Sequence, residues 1–125
     1  MRKIYISGPI TGVKKYRKNF ENAEKILDLK GYTVENPVTI GDRLHFPRTF
    51  SESDKYATYM RADLLALLGC THIYMLDKWY NSRGAIIEYI VAKICGLKVI
   101  YSAAGKKEDM PWKPLLKLAI EIFID

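Results

Sequence analysis

Long apolar runs are missing from this sequence. Nothing in its 125 residues approaches the roughly 20 consecutive apolar positions that cross a bilayer, so no membrane span is expected. The N-terminal stretch MRKIYISGPITG pairs basic residues with a short apolar run, but Gly8-Pro9 interrupts it too early for a signal-peptide core. Cysteine is scarce. Cys70 and Cys95 both stand among apolar residues, which predicts buried free thiols rather than a disulfide and suits a reducing cytoplasm. Histidine is equally rare. Cys70-x-His72 is one pair of candidate ligands without a second pair, so both read as packing residues and no metal is expected. His45 has no assigned role. The chain also lacks a P-loop and a nucleophilic Ser or Cys with a partner His, and nothing in it calls for a cofactor.

The composition that is present is that of an ordinary globular protein. Hydrophobic residues make up 49% and charged residues 27%, which argues against disorder, and the length suits one domain over residues 1–125. A net charge of +6 raises the question of a polyanionic partner. The cations are scattered, however, and the densest cluster is the short GVKKYRK, so a small nucleotide or phosphate ligand is favoured over a nucleic-acid polymer.

Periodicity divides the chain into alternating elements. Lys3–Ser7 reads as a buried strand stopped by Gly8-Pro9, and Arg17–Lys30 as a helix with Phe20, Ala23, Ile26 and Leu27 on its inner face. Tyr32–Glu35 is a second strand ended by Asn36-Pro37. Residues 38–53 read as a loop, Asp54–Leu68 as a helix and His72–Leu76 as a third strand. A helix from Ser82 or Arg83 to Cys95 is closed by Gly96, followed by a strand at Leu97–Tyr101 and a helix at Pro114–Ile124. This βα alternation predicts an α/β fold: a three-layer Rossmann-like or flavodoxin-like sandwich with a mainly parallel sheet of four to five strands. Ligands in such sheets sit beyond the carboxyl ends of the strands, here the loops SGPITG, ENPV, DKWYNSRG and SAAGKK. Trp79 and Tyr80 lie in the third of these and either stack on a ligand ring or cover the sheet end. Trp112 reads as packing.

Two carboxylates occupy unusual places. On a helical wheel Asp63 falls within the apolar face formed by Tyr56, Tyr59, Met60, Leu64 and Leu67. An unpaired buried charge is costly, so Asp63 either accepts hydrogen bonds from a neighbouring loop or has a chemical task. Glu88 stands in the second turn of its helix, at the edge of a stripe of Ile86, Ile87, Ile90, Val91 and Ile94, with Ala85 and Ala92 beside it. It reads either as a solvated helix-start carboxylate or as a partly desolvated nucleophile.

Three motifs at these spacings, G-P-I-x-G at Gly8–Gly12, M-x-x-D-L at Met60–Leu64 and S-x-G-x-x-x-E at Ser82–Glu88, resemble those of the nucleoside 2-deoxyribosyltransferase-like superfamily. The nearest likeness is to its small phage and prophage branch, and it covers roughly Lys3 to Tyr101. The resemblance implies a Rossmann-like fold and cleavage of the N-glycosidic bond of a nucleoside or nucleotide. It assigns Glu88 as nucleophile and Asp63 as a support for sugar and leaving base, both catalytic. It assigns Tyr5, Ser7, Gly8, Ile10 and Gly12 to substrate binding. The transferases carry an Asp where Ser82 stands, whereas the nucleoside 5′-monophosphate N-glycosidases carry Ser. Ser82, Arg83 and Gly84 therefore imply a phosphate site, although Pro9 and Thr11 depart from those hydrolases. The alternative is a protein that binds a nucleotide or nucleotide signal without cleaving it. The helix at 54–68 is apolar nearly all round, which predicts a homodimer or larger homo-oligomer, in line with the superfamily's shared pockets.

Overall fold

A computed structural model describes residues 2–103, 116–118, 120 and 121. The β-branched and aromatic run KIYIS forms strand β1 (Lys3–Ser7). It pairs in parallel with β2 (Thr33–Glu35) on one side and β3 (His72–Met75) on the other, and β4 (Lys98–Tyr101) pairs with β3. The sheet has four parallel strands in the order β2-β1-β3-β4, the Rossmann-like, flavodoxin-like α/β arrangement expected from the alternation.

The period-two alternation of β1 sorts its side chains between two cores. Ile4 and Ile6 pack on Phe20, Ala23 and Leu27 of helix α1 (Tyr16–Leu29). Tyr5 faces the other layer, made by α3 (Glu52–Leu68) and α4 (Arg83–Ile94), where Leu67, Ala85, Ile86, Tyr89 and Ala92 are buried. The strand order reverses between β1 and β3, and the crevice beyond their carboxyl ends is where such folds bind ligands. The chain is closely drawn together there. A Cβ on Gly8 would stand 2.8 Å from Leu76 Cβ.

Several expectations need correction. Residues 38–53 are not all loop, because Asn36-Pro37 opens a short helix α2 (Pro37–Asp42). The Asn36 side chain accepts from the Val38 N–H at 2.9 Å and proline occupies the first turn, where its missing donor costs nothing. Helix α3 starts at Glu52, with a capping box between Ser51 and Asp54. The inner stripe of α4 is Ala85, Ile86, Glu88, Tyr89 and Ala92, while Ile90 and Ile94 face outward. Glu88 is thus central to the buried face, not at its edge. Ile26 is exposed, and so is Cys95, unlike the buried Cys70.

Trp79 covers the sheet end. It is buried in the single 3₁₀ turn Trp79–Asn81 and stacks on Tyr89 at 4.7 Å. The expected terminal helix falls only partly within the described residues, at 116–118, 120 and 121, and Trp112 lies outside them. Among the described residues no helix is long and apolar enough to cross a membrane.

Candidate active site

Glu88 meets β1 at the switch point. Tyr5 and Ser7 are two residues apart on one strand and so present their hydroxyls to the same side. Tyr5 donates to Glu88 Oε2 at 2.6 Å and Ser7 donates to Oε1 at 2.7 Å. Glu88 is 5% exposed. Helix α4 comes close enough because Ala85 and Ala92 are the residues flanking Glu88 on the sheet side. Its start is fixed by Ser82, whose hydroxyl accepts from the Ala85 N–H at 3.2 Å.

Asp63 approaches from α3. It follows Tyr56, Tyr59 and Met60 in one helical stripe, and all four line a cleft of about 290 Å³ with Glu88 at its inner end. Gly8, Ile10, Thr11, Ser82 and Gly84 also line it, as do Pro37, Val38, Gly41 and Asp42 of α2 and Tyr16 and Arg17 of α1. Asp63 Oδ1 is buried and has no hydrogen-bond partner among the described residues. The alternative in which a neighbouring loop satisfies that oxygen therefore does not hold.

The two carboxyl groups titrate unusually. Burial raises Glu88 to about 7, opposed by the hydrogen bonds from Tyr5 and Ser7, which favour its charged form. Burial raises Asp63 further, to about 8, and the Glu88 charge adds to the rise. The two interact, so their protons are lost as a pair, with the hydroxyl donors favouring the charged form on Glu88. The Tyr5 phenol is held well above its usual range, by burial first and the Glu88 charge second, so it remains a donor.

Most of the residues singled out in the sequence meet here, but not all. Glu88, Asp63, Gly8, Ile10, Ser82 and Gly84 line the cleft, and Tyr5 and Ser7 stand behind Glu88. Gly12 lies off the lining, in an exposed left-handed turn with φ 79°. Arg83 turns the other way and pairs with Glu121 at 3.4 Å. The guanidinium on the cleft wall is instead that of Arg17, which donates to both oxygens of Asp42 at 2.9 and 2.8 Å. Sequence reasoning missed Arg17, Gly41 and Asp42, and read Tyr56, Tyr59 and Met60 as a packing face. The available signal was that this face ends in a carboxylate. Among the described residues no cluster of three or more His, Cys, Asp or Glu side chains is disposed to hold a metal ion.

These features define an α/β protein of flavodoxin-like topology with one buried and one half-buried carboxyl group at its switch point. Residues 2–101 match the family described as Domain of unknown function (DUF4406), and the chain belongs to that family. Two solved structures share the fold. A 2-deoxyribosyltransferase from the psychrotolerant bacterium Bacillus psychrosaccharolyticus aligns at a TM-score of 0.63 with 22% identity, over 79% of this chain and 70% of its own. A conserved protein from Enterococcus faecalis V583 aligns at 0.59 with 22% identity, over 99% of this chain and 76% of its own. No curated protein matches the chain.

Proposed function

We propose that the protein cleaves the N-glycosidic bond of a nucleoside 5′-monophosphate or a related nucleotide. The observation that carries this reading is the carboxylate pair on one cleft, with Glu88 oriented by two hydroxyls and Asp63 Oδ1 buried without a partner among the described residues. Burial raises both groups, Asp63 with the Glu88 charge as a second cause, and hydroxyl donors favour the charged form of Glu88, which suits a carboxylate nucleophile beside a proton donor. In the proposed cycle a Glu88 carboxylate oxygen attacks C1′ of the sugar and the C1′–N bond breaks. The electron pair of that bond leaves with the base, and Asp63 supplies the proton the base nitrogen takes up. Water, or an acceptor base, then displaces Glu88 from C1′ with Asp63 receiving a proton, the two-step logic of retaining glycoside cleavage.

Tyr5 and Ser7 act through Glu88. They hold its two oxygens and favour its charged form against the effect of burial. The fold neighbour described as a 2-deoxyribosyltransferase used for nucleoside synthesis supports a nucleoside-like substrate. The Ser82 hydroxyl and the first N–H groups of α4, on the cleft side, favour a phosphate on that substrate, as does the net charge of +6.

The test is release of free base from a panel of deoxynucleoside monophosphates and their parent nucleosides. Glu88→Gln is expected to fold and to lose activity by a factor on the order of 10⁴. Retained turnover would remove Glu88 as nucleophile. Ser82→Asp keeps a helix cap but places a negative charge where the phosphate would sit, so it should narrow or reverse the preference for monophosphates.

A further inference from the structure

Resting on that reading, we infer that the first two turns of α3 and the short helix α2 form the subsite for the planar ring of the substrate, with Tyr59 as its stacking platform and Gly41 as the residue that sets the ring's position. Tyr56 and Tyr59 belong to the stripe that buries Leu67 completely further along α3, yet they remain 44% and 40% exposed, on the cleft. Two partly exposed aromatic faces on a concave surface offer stacking area at little cost in side-chain freedom.

The platform is held before any ligand arrives. Phe46 meets the Tyr59 ring edge to face at 5.1 Å, and Phe50 backs Phe46 at 6.1 Å. On the α2 side a Cβ at position 41 would stand 3.1 Å from Tyr59 Cε1, tighter than ordinary contact, so glycine lets the ring lie back against α2. Helix α2 has only six residues but is fastened at both ends. Asn36 caps it and donates its amide to Glu24 at 3.1 Å, and Asp42 is gripped by the Arg17 fork. Pro37 and Val38 add apolar surface to the same lining. A preorganised surface of this kind loses little freedom on binding.

Its position suits the chemistry. Tyr59 lies four residues before Asp63, about 6 Å along the helix axis. A ring stacked on Tyr59 therefore has an edge within reach of the group that supplies the leaving-base proton.

Calorimetry on the Glu88→Gln protein, which should not turn over, and in parallel on the wild type tests the subsite. Deoxynucleoside monophosphates should bind more tightly than ring-less 2-deoxyribose 5-phosphate. Tyr59→Ala should weaken the nucleotides roughly five- to a hundredfold while leaving the ring-less ligand unchanged. Tyr59→Phe should retain most of the affinity, and Gly41→Ala, which forces the ring forward, should weaken the nucleotides without affecting the ring-less ligand. Equal affinity for nucleotides and 2-deoxyribose 5-phosphate, or full affinity in Tyr59→Ala, overturns the subsite and leaves the cleavage reading standing. Failure of every nucleotide to bind either protein overturns both.

Discussion

Two hydroxyl groups on one strand keep Glu88 in use as a charged group despite its burial. Tyr5 and Ser7 oppose the desolvation that raises its proton affinity. Activity should therefore follow a narrow bell-shaped pH profile. Its acid limb near pH 7 marks ionisation of Glu88 and its alkaline limb near pH 8 marks loss of the Asp63 proton. Tyr5→Phe removes a donor that favours the charged form. The acid limb should move upward, with roughly tenfold or greater loss at pH 6 and a smaller loss at pH 8. An unmoved limb in steady-state profiles would show that Tyr5 does not act through Glu88. The same residues shape stability. A carboxyl group with a raised folded pKa holds its proton longer when folded, so stability falls as pH rises from the ordinary carboxylate range to the raised value. For Asp63 that window ends at about 8. Melting temperature should decline between about pH 4 and about pH 8. Asp63→Asn, which cannot ionise, should flatten the decline and melt higher at the alkaline end while losing activity.

At the scale of elements, what the sequence made legible depends on how one-sided each segment is. Strand β1 was readable because its apolar run is short and sharply bounded. Once placed, its alternation put Tyr5 and Ser7 on the Glu88 side. Helix α4 was found but turned the wrong way. Its isoleucines surround it, so the wheel chose the bulkiest stripe, whereas the sheet accepts the narrower one of Ala85, Glu88 and Ala92. Small residues let the backbone approach, and that approach is what buries the carboxylate. Helix α2 was invisible because Asn-Pro ends a strand as readily as it starts a helix. The tyrosines of α3 looked like core because periodicity cannot distinguish a buried face from a face that borders a cleft. The Arg17–Asp42 pair depends on helices α1 and α2 meeting in space, which local pattern does not encode. One consequence of α2 is measurable. Asn36→Ala removes both its cap and the bond to Glu24, and should cost about 1 to 2 kcal/mol in denaturant unfolding. Since α2 walls the cleft, substrate binding should weaken more than the chemical step slows.

For the whole molecule, the distribution of exposed apolar side chains bears on assembly. On the layer made by α3 and α4, Leu65 is 73% and Ile94 78% exposed, with Leu68 and Ile90 also on the outside. Tyr56 and Tyr59 no longer enter this count, because the cleft accounts for them. The remaining aliphatic side chains are held by neither the core nor the candidate site. An apolar surface of this kind on a helical layer is commonly covered by a symmetric partner. The expectation is a homodimer joined through this layer. Because α3 and α4 also carry Asp63 and Glu88, such a dimer would brace both carboxylates from outside. Light scattering at micromolar concentration should give twice the mass of one chain. Ile94→Glu should reduce it to a single chain and lower base release, because the two helices lose their common support. Ile26→Glu, on the α1 face across the sheet, should leave both the mass and the rate unchanged. A wild-type mass of one chain, unaltered by Ile94→Glu, would return the exposed aliphatics to the ordinary surface that any small domain carries.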